Sequence, residues 1–424
     1  MQKKVNVSTF VISIVTAVLI TFIVTFSGTQ IANSITSLIS AHNDLNSLGG
    51  QIDSLQNELP EEKRNPELFK TLAIVDYLYQ SGYIGDVNND DLTNFLANAY
   101  IAYVGDKYGV YYTPEQVDSL FGGLTGTLSG LGVYIKTTLD SDGIKIYAVM
   151  DDSPAKDAGL MSGDIILEID GTLVKDAGYD QASDMLLGES GSSVNLKVLR
   201  NGETVEITVI RRSFVSQSVF YHKYALDGTV GVVRIIDFNQ NTPAQFENAV
   251  NSLLDSGCTS LVFDVRSNGG GTLDSCLEML DLLLPYGVSA YITDADGNVV
   301  ETHYSQGEGI DVPMAILVDG GTASAAELFT CTLMDRAGAI VVGTKTYGKG
   351  CMQNVLSLPT GGALKYTTNL FNGPITPNFD GVGIAPTVYV ELSEENSGKN
   401  YFEISDEKDN QLMSAYEALK NSNN

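Results

Sequence analysis

The feature that most constrains this chain is a change of hydrophobic period near Gly126. Before it, from Gln30 to about Tyr112, apolar residues recur at three- and four-residue spacing, in SITSLISAHNDLNSLGGQIDSLQNEL and again in DDLTNFLANAYIAYV. That is the spacing of one helix face. After it come short alternating segments with Gly turns between them: GVYIKT, IKIYAVM, DIILEIDG, VNLKVLR and VEITVIRR. Alternation is the signature of strands with one buried side, and DQASDMLL marks one helix among them. From Val219 strands and helices alternate: VGVVRII, a helix over 243–255, SLVFDV, LDSCLEMLDLLL, MAILVD, ASAAELFTCTLMDRAG and AIVVG. That order predicts an α/β unit. The chain reads as a multi-domain α/β protein: an anchor over 1–27, a helical part over 28–115, a β-rich domain over 116–214, an α/β domain over 215–393, and a polar tail over 394–424 with one short helix, DNQLMSAYEAL.

The first residues break the pattern. Val7–Phe26 carries no charge, and twenty residues rising 1.5 Å each span about 30 Å, the thickness of a bilayer core. Lys3 and Lys4 on its N-terminal flank predict a single transmembrane helix with a cytoplasmic N-terminus and the rest of the chain outside the cell membrane. A cleaved signal peptide is the rival, but the run is long for one and SGTQIANS lacks an A-x-A site. The helical stretch behind it is either a solvated spacer or a self-associating stalk, so a homo-oligomer is open.

Charge excludes other classes. With 24 basic and 52 acidic residues the formal charge is −28, the wrong sign for nucleic acid. The four cysteines, Cys258, Cys276, Cys331 and Cys351, match no zinc spacing and read as buried small apolar residues, with disulfide pairing outside the cell as the alternative and no pairing singled out. No metal or other cofactor is expected.

Within the β-rich domain, Gly130-Leu131-Gly132-Val133 leads into a strand, and DDSPAKDAGLMSGDIILEIDG follows. A Gly-x-Gly turn can turn successive N–H groups toward a carboxylate, and a strand with a free edge can take up an extended peptide. Together the two segments resemble a PDZ domain. The resemblance implies that Leu131, Gly132 and Val133 cradle a peptide's terminal carboxylate, with the helix bearing Met185 walling the groove.

In the α/β domain, GGTASAAELFTCTLMDRAGAIVVGTKTYGKGCMQ resembles the active-site region of the C-terminal processing peptidases, or tail-specific proteases. The resemblance implies a crotonase-like α/β core and a serine endopeptidase, with Ser324 as nucleophile, Lys349 as base, Gln353 as accessory and Asp335 as structural support. A serine hydroxyl needs a base, and a lysine serves only if burial lowers its pKa. Ser324 at a helix start places the Ala325 N–H near a developing oxyanion. Asp264-Val265-Arg266-Ser267-Asn268-Gly269-Gly270-Gly271 resembles the family's D-L-R-x-N-P-G-G element, with Gly269 in place of proline. It offers Gly270 as the second oxyanion donor, Gly271 as the next choice, and Arg266 as organiser of the loop through a carboxylate. Thr322-Ala323-Ser324-Ala325-Ala326-Glu327 departs from the usual S-A-S-A-S-E only around the nucleophile, and Thr387 replaces a usual Asp. YGVYYTPE resembles the segment before the family's PDZ domain.

Rivals fare worse. Gly343–Gly350 imitates a phosphate loop but ends in Gly350, with no hydroxyl for Mg²⁺. His42, His222 and His303 sit in no triad motif. The expected function is cleavage of extracytoplasmic proteins recognised by their free C-termini. The alternative is an inactive membrane-tethered PDZ scaffold, against which the intact Ser324, Lys349 and Gln353 argue.

Overall fold

A computed structural model describes residue 63 and residues 65–135 and 143–422. The predicted anchor at 7–26 and the stalk pattern up to Leu59 lie outside these residues, and among the described residues no helix is long and apolar enough to cross a membrane. Leu92 ends a first unit, and Thr93–Asn424 forms a second.

Helix Pro66–Gly82 begins where Asn65 accepts the Leu68 N–H at 3.3 Å. Helix Asn89–Val104 follows the second periodic stretch. The helical reading runs too far, however: Val110–Tyr112 is a strand, paired antiparallel with Ala363–Asn372 so that Val110 faces Lys365. Tyr and Val favour such a half-buried pleat, and a three-residue strand is too short to show a period.

The β-rich domain is a sheet of strands in the order Val133–Ile135, Ile144–Val149, Ile165–Ile169, Ser193–Arg200 and Glu203–Ile210. Its alternating residues Ile144, Ile146, Ile166, Val194, Leu196 and Val198 form a closed core. A separate ribbon, Thr127–Gly130 with Arg212–Val215, ties the two ends of the domain together. Val133–Ile135 is the end strand, so one edge is unpaired among the described residues.

The α/β domain is built on a second sheet: Val219–Lys223, Val230–Ile235, Ser260–Asp264, Met314–Val318, Ile340–Gly343 and Val388–Tyr389, parallel after the first pair. Strands Ser260–Asp264 and Met314–Val318 are buried at every position, because both faces of the sheet are covered. Leu261 and Phe263 face helices Thr242–Asp255, Leu273–Leu283 and Ala325–Ala337. Val262, Ala315 and Leu317 face the other way, onto Leu412, Ala415 and Leu419 of helix Asn410–Ser422. The expected polar tail is therefore a layer of the domain. A further sheet, absent from the sequence reading, joins hairpin Pro285–Thr293/Val299–Glu308 to Ala363–Asn372 and Cys351–Ser357. All four cysteines are buried and free.

Phe329 packs on Phe238, Phe246 and Phe263 with ring centroids 5.8, 6.0 and 5.6 Å away. It fixes helix Ala325–Ala337 to the sheet. Phe329→Ala should destabilise the domain by about 3–5 kcal/mol in urea unfolding.

Candidate active site

Strands Ser260–Asp264 and Met314–Val318 end side by side, with Asp264 opposite Leu317. The loops beyond their C-terminal ends carry both expected elements, where parallel sheets place their sites. These loops are laced together. Ser267 donates its N–H and hydroxyl to Asp319, at 2.8 and 3.1 Å. Thr322 Oγ1 donates to the Val265 carbonyl at 2.8 Å, and the Ala323 N–H to the Asn268 carbonyl at 2.9 Å.

Ser324 follows with φ 57°, a left-handed conformation for a residue with a side chain. Such a backbone costs about 1–3 kcal/mol and persists only when its surroundings impose it. Helix Ala325–Ala337 starts immediately after, and the Ala325 N–H has no acceptor among the described residues. Gly270 lies against this turn: a Cβ there would stand 2.8 Å from Ser324 Cβ and 2.9 Å from Ala325 N. The structure thus brings Ser324, Ala325 and Gly270 together. It corrects one expectation: the Gly270 N–H is engaged by its own loop, donating to Asn268 Oδ1 at 2.8 Å. To meet an oxyanion it must be released or shared. Gly271 lies in a parallel bridge to Phe238.

The group that organises the site is Glu327, a fully buried carboxylate one turn into the helix. Its Oε2 accepts the N–H groups of Ser324 (3.0 Å) and Lys349 (2.8 Å). Its Oε1 accepts the Gly348 N–H (2.7 Å) and the Thr346 hydroxyl. Thr346 Oγ1 in turn accepts the Ile384 N–H at 2.7 Å. Three backbone N–H groups and one hydroxyl thus converge on this one buried carboxyl group.

Lys349 sits in the following turn, half-buried. Burial pushes its pKa below the ordinary lysine value, and the neighbouring Lys365 charge adds to this. Its Nζ lies 4.7 Å from the centre of the Tyr108 ring. No hydrogen bond joins it to Ser324 Oγ. Gln353 does not hold the amine as expected: its amide donates to Cys351, to the carbonyl at 3.2 Å and to Sγ at 3.3 Å.

The two support residues are where expected. Asp335 accepts the N–H groups of Ile375 and Thr376 and the Thr376 hydroxyl, at 2.8, 2.7 and 2.8 Å. That fixes the turn after the Ala363–Asn372 strand. Arg266 is fully buried and forks onto Asp264 (2.8 and 2.7 Å) and Asp409 (3.1 and 2.7 Å). Burial opposes the charged form of Asp264, but Arg234 and Arg266 outweigh it and hold its carboxyl far below the usual range.

In the β-rich domain, the Leu131 and Gly132 carbonyls accept the Ala155 and Met150 N–H groups at 2.8 and 3.0 Å. The N–H groups of Leu131 and Gly132 have no acceptor among the described residues. Gly132 has φ 76°, and a Cβ there would meet Ser153 Cβ at 2.4 Å, so only glycine fits. The next strand is bolted to the α/β domain: the Tyr134 ring packs on Phe220 and Phe402, 5.5 and 6.3 Å away. Lys145 pairs with Glu403 at 2.9 Å.

Sequence reasoning missed Glu327, Asn268, Asp409 and Tyr108. Glu327 left a signal, because Ser-x-x-Glu is a capping box; Asn268 acts two residues away within its loop, and Asp409 and Tyr108 act across the chain.

Residues 229–390 match the model of peptidase family S41, and residues 129–210 match a PDZ domain. The chain is 30% identical over 304 residues to a carboxy-terminal-processing protease of Bartonella bacilliformis, covering 70% of this chain and 69% of that one. It is 30% identical over 323 residues to a probable CtpA-like serine protease of Staphylococcus aureus, covering 76% of this chain and 64% of the relative. Among solved structures, a photosystem II D1 C-terminal processing protease is similar, at 26% identity and TM-score 0.48, covering 75% of this chain and 86% of that one.

Glu327→Gln would turn an amide donor toward two donors. Leaving buried donors unmatched costs about 1–3 kcal/mol each. The variant should lose roughly 2–4 kcal/mol in urea unfolding, whereas Glu327→Gln unfolding like the parent would show that the carboxylate holds nothing.

Proposed function

The chain belongs to peptidase family S41, the serine-type C-terminal processing peptidases, and from that premise we propose that Ser324 is its nucleophile and Lys349 its base. One observation carries this reading. A single carboxylate oxygen, Glu327 Oε2, holds the backbone N–H groups of both residues, at 3.0 and 2.8 Å, so the serine turn and the lysine turn share one anchor.

The neutral lysine takes the Ser324 proton as Oγ attacks the scissile carbonyl. The Ala325 N–H, free to donate, stabilises the oxyanion, and the Gly270 N–H joins it once released from Asn268. Lys349, now an ammonium, returns its proton to the leaving amine. Water then attacks the acyl-serine, with Lys349 again as base. For this step the Lys349 amine has to leave the Tyr108 ring and come within hydrogen-bond reach of Oγ.

Substrates are proteins and peptides taken by their free C-termini. The N–H groups of Leu131 and Gly132 supply the donors that a carboxylate needs, beside an end strand on which a peptide can pair. The uncharged Val7–Phe26 run supports a membrane anchor with the peptidase outside the cytoplasm. Chain that stays in the pellet on carbonate washing, and is digested by protease added to intact cells, is the expected outcome. Release by carbonate would remove the anchor from the proposal.

Ser324→Ala and Lys349→Ala should each abolish peptide hydrolysis, and the double variant should be no worse, because the two act as one unit. A folded single variant with near-normal turnover would sink the assignment. A serine-reactive probe should label Ser324; an inactive scaffold would stay unlabelled.

Activity should rise with pH as Lys349 loses its proton, along a limb below the ordinary lysine value of 10.5, because burial lowers its pKa. His222→Gln and His303→Gln should leave that limb unmoved. Finally, a peptide with an apolar free C-terminus should be cut faster than the same peptide amidated. Equal rates would mean that the PDZ domain does not read the terminus.

A further inference from the structure

Residues 106–112 precede both stretches that match known domain models, at 129–210 and 229–390. They nevertheless lie against the proposed base. Asp106 accepts the Thr367 N–H and hydroxyl, both at 2.8 Å, and Val110–Tyr112 pairs with the strand that carries Thr367. This pinned turn sets Tyr108, half-buried, beside Lys349. The Lys349 Nζ stands 4.7 Å from the ring centre, and the Lys107 Nζ 4.9 Å from the same ring while donating to its hydroxyl at 3.1 Å. The Lys349 amine makes no hydrogen bond among the described residues, so the aromatic face is what locates it.

We infer that Tyr108 is the positioning residue for Lys349: its ring face holds the amine and keeps water from it until Ser324 engages. The inference rests on reading Lys349 as the base. Two opposed effects follow from one side chain. The π face attracts an ammonium, while the bulk of the ring excludes the water that would solvate it. The other groups around the amine are Lys107 on the same turn, Tyr347, the Glu327 carboxylate under the Lys349 backbone, Cys351, Lys365 and Asp380. Of these, Lys107 also touches Tyr108, through its hydroxyl and ring, so Tyr108→Phe serves as the control for the hydroxyl bond while the other substitutions separate the two effects.

Tyr108→Leu keeps the cover and removes the π face, so Lys349 should release its proton at lower pH. Tyr108→Ala admits water, so release should move to higher pH. Tyr108→Phe keeps face and cover and loses only the hydroxyl bond to Lys107, so release should stay in place. The measurement is an NMR titration of ¹³C-methylated lysines in Ser324→Ala protein, with the Lys349 resonance identified by its loss in Lys349→Arg. The expected displacement is about half a pH unit down for Leu and at least as much up for Ala. In protein with Ser324 intact, kcat should fall in both variants with KM nearly unchanged, and Tyr108→Phe should restore it.

Coincident titrations, or Leu and Ala moving the same way, would overturn the inference. If Tyr108→Ala does not fold, Leu against Phe decides alone, since equal curves for those two leave the ring face without a role. Failure of the base assignment is seen separately, as undiminished hydrolysis by Lys349→Ala.

Discussion

The site depends on one buried carboxylate. A buried polar group without partners is costly, and Glu327 has four donors, three of them backbone N–H groups. Those donors come from two segments more than twenty residues apart. The same contacts that satisfy the buried Glu327 side chain clamp the Ser324 turn to the Lys349 turn. The left-handed backbone at Ser324 is tolerated for the same reason, since its N–H is fixed from inside the helix it precedes. Strain at the nucleophile and register at the lysine share one cause.

A second ionic layer sets the opposite wall. Arg234 and Arg266 face Asp264, and Arg266 also faces Asp409. Two guanidinium groups and two carboxylates balance, which is the condition for burying them at tolerable cost. Asp409 belongs to the C-terminal segment, as does Tyr401, whose hydroxyl reaches Asp319 at 2.8 Å and whose ring lies 4.0 Å from the Arg266 guanidinium. The oxyanion-side loop is therefore positioned by residues beyond the 229–390 stretch that the family model matches.

Much of this was legible in the sequence, and the boundary of legibility is physical. Alternation in the β-rich domain and the two-sided apolar strands around Phe263 are local patterns, and the structure has both. Ser324, Lys349, Arg266 and Asp335 stand in motifs whose spacing follows from one helix and one strand. What could not be read is non-local. Helix Asn410–Ser422 looks polar because only Leu412, Ala415 and Leu419 meet the sheet. The hairpin over 285–308 carries Gly287, Gly307 and exposed Val299 and Val300, which blur its period. Gly270 matches the family's glycine, yet its N–H is claimed by Asn268 two residues earlier, a side-chain choice that no spacing encodes.

The net charge of −28 sets a last problem, since a field of that sign would favour the lysine ammonium and work against a lysine base. Distant surface charges are screened within about 8–10 Å at physiological salt, so the immediate neighbours decide. There the balance is local and mixed. Glu327 has its oxygens committed to backbone donors, and Asp380 accepts the Gly350 N–H at 3.0 Å. Lys365 stands near enough to oppose a second positive charge, and Tyr108 covers the amine. Asp380 still favours the ammonium, but burial of the amine, the largest effect, and the positive charge of Lys365 work against it. An acidic protein can in this way keep a lysine poised to lose its proton, because desolvation of the amine outweighs the carboxylate beside it.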